Sequence, residues 1–404
     1  MKRTVAILAM LLVSAIVPVT ALAGTADQQA YAGSHVEFDT KSNAVVDYTV
    51  DRKQTVESMR VQSQSDAGSS VGLDGSADLD AAADIVGAAL SLQAETDASA
   101  SLTTESGASI EAHDNDRGSL VVTADESSQY VVLNVSDDDT EQVSHQRVVY
   151  ETEDGATATA LVVGEGNVSV TDDGNLTAAV AEDSRLVVRS YTESRTDGDE
   201  TEERMIVNET AAASVYVMTQ GEKRVTDTVT YGQNTTVDVA QRTEGRVDMT
   251  VNRTAHEGRV VVTHVSDETF ESADDVAVAV DGDAATSASS YAELRQAASG
   301  GETSKYMVEQ SNAASADADA TVFVGINHFS TRDVTMTDSD SDTSSSETDT
   351  PSDDSDTSNG DSESSTDDSS DDVGTSSGNG PGFGGAAVLL ALISMTGLSV
   401  ARRR

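Results

Sequence analysis

The chain contains no cysteine and no tryptophan, only three prolines, and 3% aromatic residues across its 404 positions. Without cysteine there can be no disulfide, no thiolate nucleophile and no Cys-based zinc site. Few aromatic rings count against an enzyme that stacks sugars. Basic residues are also scarce: 24 Lys and Arg stand against 71 Asp and Glu, a net charge of −47. The lysines are Lys2, Lys41, Lys53, Lys223 and Lys305 alone. Such a chain repels nucleic acid and anionic lipid headgroups, so no nucleic-acid partner is expected. No G-x-S-x-G, P-loop or dinucleotide fingerprint is present, and no cofactor is expected.

What is present begins at the two ends. Lys2-Arg3 precedes an apolar run from Val5 to Val19, and Ala21-Leu22-Ala23 before Gly24 forms an A-x-A cleavage site. This reads as a secretory signal peptide over 1–23. At the other end, seventeen uncharged residues from Gly384 to Val400 precede Arg402-Arg403-Arg404. As a helix they would run roughly 26 Å, close to the hydrocarbon thickness of a bilayer. The arginines would remain on the cytoplasmic side and hold the body outside. From 337 to 380, Asp, Glu, Ser and Thr dominate without a basic residue, so this segment reads as a disordered stalk.

Pro381-Gly382-Phe383, the apolar tail and the arginine end together resemble the PGF-CTERM sorting signal of archaeal surface proteins, of haloarchaeal type. The resemblance covers 381–404 and the spacer before it. It implies processing by an archaeosortase and attachment to a membrane lipid at the outer face of the cytoplasmic membrane, by a logic parallel to a GPI signal. The expected partners are that lipid and that enzyme, with other envelope proteins or glycans as neighbours. Salt-adapted composition agrees with this address: self-repulsion among carboxylates is screened in molar salt.

The body, 24–336, reads as mainly β, either one large domain or two smaller ones. Short β-branched segments such as Tyr130-Val131-Val132-Leu133 and Arg259-Val260-Val261-Val262 are bounded by Gly, Asp, Asn and Ser. From Leu92 to Ala112 small or apolar residues fall on every second position. One strand of that length would reach about 70 Å, so the stretch must break, near Gly107 or into stacked short strands. Sandwich-like and solenoid-like packing both fit. Asp173-Gly174-Asn175 predicts a hairpin turn. One short helix is expected, opened by the capping box Ser290-Tyr291-Ala292-Glu293 and closed by Gly300-Gly301.

Six N-x-S/T sequons, at Asn134, Asn167, Asn175, Asn208, Asn234 and Asn252, are candidate glycosylation positions in an exported chain. His256 and His264 share one face of a straight strand but have no third ligand, and they read as solvated. Asp74, Asp78 and Asp80 fail the EF-hand pattern, since Leu79 replaces its glycine and Ile85 its glutamate. No metal site is assigned. The expectation is therefore a non-enzymatic, membrane-anchored surface glycoprotein with a structural or adhesive role. The alternative is a surface-tethered ligand- or ion-binding module, and the third reading is an envelope hydrolase.

Overall fold

The computed structural model describes residues 28–29, 35–66, 87–96, 98–135, 137–192, 194–220, 223–243, 245–266, 269–270, 276–310 and 320–338. Ala21, Ala23, Gly24, Pro381, Gly382 and Phe383 lie outside these residues, as do the acidic cluster at 74–80 and almost all of the stalk.

The described chain folds into four β-sheets. Sheet I runs Gln28–Gln29, Val36–Lys41, Ala44–Val50, Lys53–Ser63, Gln129–Asn134, Leu176–Val180, Gly166–Val170. Sheet II runs Asp137–Ser144, Arg147–Thr152, Thr157–Val163, Arg185–Tyr191, Ser119–Ala124, Ala108–His113, Ser99–Thr104, Leu90–Glu95. Sheet III runs Lys223–Thr230, Ala211–Gln220, Glu257–Val265, Ala320–His328, Lys305–Gln310, Thr286–Ser287. Sheet IV runs Thr235–Thr243, Arg246–Arg253, Thr331–Asp338, Val276–Val280, Asp283–Ala284. Pairing is antiparallel apart from Ala211–Gln220 beside Glu257–Val265 and Thr286–Ser287 beside Lys305–Gln310, which are parallel.

The sheets stack in the order I, II, III, IV, because alternate residues of one strand enter different cores. In sheet II, Leu120 and Val122 pack toward sheet I while Val121 packs toward sheet III. In sheet III, Val260 and Val262 pack toward sheet II while Val261 packs toward sheet IV. The two inner sheets therefore bury both faces, which requires continuous apolar runs rather than alternation. Ser119–Ala124 is buried at every position, whereas Arg246–Arg253 in the outer sheet IV alternates. This layered arrangement is a stack of sandwiches, not a solenoid.

The period-two stretch resolves into a meander of Leu90–Glu95, Ser99–Thr104 and Ala108–His113. It turns at Gly107, whose φ of +81° favours glycine. The expected hairpin at Asp173-Gly174-Asn175 joins Gly166–Val170 to Leu176–Val180. The expected helix is present at Tyr291–Ala298, and the sequence expectation of a single helix is corrected by another at Asp197–Val207. We call the earlier one α1 and the later one α2. Thr196 caps α1, with its hydroxyl accepting from Asp199 N at 3.2 Å and Asp199 Oδ2 accepting from Thr196 N at 2.8 Å. That is a capping box built on Asp rather than on the Glu or Gln of the usual pattern. α2 lies on sheet III where glycines make room. A Cβ on Gly258 would stand 2.3 Å from the Ala298 carbonyl oxygen, and one on Gly325 2.8 Å from that of Leu294.

Candidate ligand-binding site

The two helices frame a cleft of about 310 Å³. From α1 and the turn after it come Thr201, Arg204, Met205, Asn208 and Thr210, and from α2 come Tyr291 and Arg295. Thr201, Arg204 and Met205 of α1 and its cap residue Asn208 fall at i, i+3, i+4 and i+7, and the two α2 positions at i and i+4. Each helix thus offers one stripe of its surface. Met205 is buried and Tyr291 half-buried, its ring edge-on to Phe323 with centroids 5.3 Å apart. These two provide an apolar floor. Thr201, Asn208 and Thr210 provide hydroxyl and amide groups, and the two arginines provide positive charge. No carboxylate lines the cleft.

The arginines differ in freedom. Arg204 Nη2 donates to Thr201 Oγ1 at 2.7 Å, and its Nη1 lies 3.6 Å from Glu200 Oε2. Glu200 is shared, since Arg195 Nη1 holds its other oxygen at 3.0 Å. Arg295 is exposed and its guanidinium meets no acceptor among the described residues.

The opposite face of α1 fixes the helix in place. Glu202 and Glu203 enter the interior between sheets II and III, where sequence reasoning placed no ionic group. Glu203 accepts from Tyr191 OH at 2.7 Å, from Arg195 Nε at 2.7 Å and from Arg147 Nη1 at 3.1 Å. Glu202 accepts from Ser214 Oγ at 3.1 Å and meets His264 Nε2 at 3.3 Å. Arg189 Nη2 stands 3.0 Å from Glu202 Oε2, off the line a hydrogen bond requires, and its Nε and Nη1 meet no acceptor among the described residues. Burial alone would raise the Glu202 carboxyl pKa. The positive charge of Arg189, then of His264, outweighs it and holds the group well below the usual carboxylate range. Asp199 Oδ1 accepts from Arg117 Nη2 at 2.6 Å. The reading of His264 as solvated is thereby corrected. It is 2% exposed and stacks on Tyr216 at 4.6 Å, because its position on Glu257–Val265 faces sheet II. His256 lies before that strand and contacts the Phe329 carbonyl oxygen.

A second ionic contact crosses the same interface. His113 Nδ1 donates to Asp227 Oδ1 at 2.9 Å and Asn115 Nδ2 to Asp227 Oδ2 at 2.8 Å. Burial would lower the His113 pKa, but the Asp227 charge and hydrogen bond raise it to about 10.

No protein-family model matches the chain, and no curated protein does. Among solved structures the chain is similar to a mutant of a family 81 glycoside hydrolase from Clostridium thermocellum. The TM-score is 0.32 at 10% identity, over 59% of this chain and 30% of that one. The chain spans less than a third of that enzyme's length. The expectation of a non-enzymatic chain is withdrawn, because its ground does not hold. It rested on absent local motifs, and carboxylates gathered from distant strands leave no such motif. At this TM-score the overlay assigns no activity. No group of three or more His, Asp or Glu suited to a metal gathers among the described residues.

The sequons are placed as follows. Asn134 Nδ2 donates to Glu57 Oε2 at 2.7 Å, and Asn167 Nδ2 to Ser169 Oγ at 3.4 Å. Asn175 is half-buried, while Asn208, Asn234 and Asn252 are exposed. Only Asn208 belongs to the cleft.

Proposed function

We propose that this chain is a surface-tethered module that binds a small anionic sugar, such as a hexuronate, in the groove between α1 and α2. The observation that carries this reading is two guanidiniums lining one cleft, that of Arg295 with no carboxylate partner among the described residues, in a chain of net charge −47. Guanidinium forks pair well with carboxylates. Thr201, Asn208 and Thr210 suit sugar hydroxyls, and Tyr291 with Met205 suits the C–H face of a ring. The tether belongs to the same proposal. Its support is the signal-like start, the acidic stalk and the PGF-type end of the sequence, which imply export and lipid anchoring at the cell surface.

Calorimetric titration of the salt-stabilised protein with glucuronate, with glucose as the neutral control, tests the ligand class. Binding of glucuronate over glucose is expected, weakened about tenfold by Arg295→Ala, as for one lost charge-assisted hydrogen bond. Equal response to both sugars, or an unaltered Arg295→Ala isotherm, refutes the reading.

A further inference from the structure

We infer that Asn208 is a modification site whose N-glycan folds into the cleft, so that glycosylation there and binding of a free sugar exclude one another. The exclusion rests on the ligand reading above. The seating of the glycan rests on geometry alone.

α1 ends in a Schellman turn: Glu209 N donates to Ile206 O at 2.9 Å and Thr210 N to Met205 O at 2.8 Å. Glu209 takes the left-handed conformation that closes such a turn, with φ +54°. The reversal carries Thr210 back beside the last turn of the helix. As a result Asn208 and Thr210, the acceptor and hydroxyl residues of the sequon Asn208-Glu209-Thr210, both line the same cleft. The Asn208 side chain is exposed and has no hydrogen-bond partner among the described residues, unlike Asn134 and Asn167. A sugar joined to Nδ2 of Asn208 therefore starts inside a groove already supplied with hydroxyl, amide, apolar and guanidinium groups. The tether converts weak recognition into occupancy, since a short link gives an effective concentration on the order of millimolar.

The test compares the protein from a glycosylating host with its Asn208→Gln variant. Glycopeptide mass spectrometry reads occupancy at Asn208, and phenylglyoxal labelling reads the accessibility of Arg204 and Arg295. The expected result is an occupied Asn208, with labelling of both arginines slowed on the order of tenfold relative to Asn208→Gln. A bare Asn208 overturns the inference, as does equal labelling of the two proteins. Glucuronate titration of the unsubstituted protein made in a host without N-glycosylation separates the claims. If that bare protein ignores glucuronate while arginine protection persists in the glycosylated protein, the free-ligand reading fails and the seated glycan stands. If the glycosylated protein binds glucuronate as well as the bare protein does, mutual exclusion is refuted.

Discussion

Glu202→Gln isolates the charge that holds α1 against the inner sheets. The substitution keeps shape and hydrogen-bonding capacity toward Ser214 and His264 and removes one negative charge. The Arg189 side chain is then left 0% exposed with no counter-charge in contact. At 3.0 Å and an effective dielectric near 20, the lost attraction is about 5 kcal/mol before relaxation. Net losses on breaking one partner of a buried pair run about 3–5 kcal/mol. For some 250–300 ordered residues this lowers the melting temperature by roughly 5–10 °C. Arg189→Met should cost less, because Glu202 keeps Ser214 and His264, whereas Arg189 has no aligned acceptor to lose. Arg189→Met combined with Glu202→Leu should recover most of the loss, since a well-packed apolar pair can replace a buried ion pair. Glu202, with its lowered pKa, contributes stability that is full above the unfolded carboxyl value near 4.5 and disappears as pH falls below it. The wild type should therefore lose more on acidification than Glu202→Gln. Scanning calorimetry in molar KCl reads all of these. A Glu202→Gln shift under about 2 °C, or a double variant whose loss equals the two single losses combined, refutes the reasoning.

His113 gives the opposite pH dependence. Its folded pKa is raised to about 10 from 6.5, so its contribution is full below pH 6.5 and is lost as pH rises through about 10. Thermal melts should weaken over that range in the wild type and much less in His113→Gln; parallel profiles would exclude this role. Gly258→Ala places a Cβ 2.3 Å from the Ala298 carbonyl oxygen. It should cost about 1–3 kcal/mol by overpacking, shift α2, and weaken glucuronate binding, so an unchanged melt and isotherm would contradict the packing argument. Dilution from molar salt should unfold the chain as carboxylate repulsion is unscreened, and a circular dichroism spectrum unchanged at low salt would refute that.

Much of the layered fold was legible because apolar pattern reports burial on each face. Val-rich runs such as Arg259-Val260-Val261-Val262 mark strands of the inner sheets, and Gly107 and Gly174 mark turns. Which sheets lie inside was not legible, since a short continuous apolar run does not name its two neighbours. The capping box at Ser290 gave α2, with Ser290 Oγ accepting from Glu293 N as expected, while the Glu293 carboxylate reaches Ser289 instead. α1 was missed for two reasons. Its N3 residue is Asp199 rather than Glu or Gln, and Gly198 within an acidic run reads as a turn. Without α1 there was no cleft, so Arg204 and Arg295, 91 positions apart, had no reason to be considered together. The signal that could have found α1 is the i, i+4 pair of Glu202 and Ile206 beside Met205, behind Thr196-x-x-Asp199. Glu202 and Glu203 were illegible as buried groups, because their partners lie on Arg147–Thr152, Arg185–Tyr191 and Glu257–Val265.

Scarcity of positive charge makes the position of each arginine informative. In the inner interface Arg117, Arg147, Arg189 and Arg195 each lie within 3.1 Å of a carboxylate oxygen. Arg295 does not, although acidic residues outnumber basic ones 71 to 24. Its neighbours in the cleft are Arg204, Thr, Asn, Met and Tyr, so the residues lining it carry charge of the sign opposite to that of the whole chain. An anion approaching at low ionic strength meets both, and the net charge of −47 repels it over long range. In about 1 M salt the Debye length falls to roughly 3 Å, which removes the distant repulsion and spares contact-range pairs more. Glucuronate affinity should therefore change by no more than about twofold as KCl is increased from about 1 to 3 M, since screening is nearly complete at the lower value. Titrations across that range decide the matter: a steep loss of affinity with salt would mean that the guanidiniums act as screened long-range charges rather than through contact with the ligand.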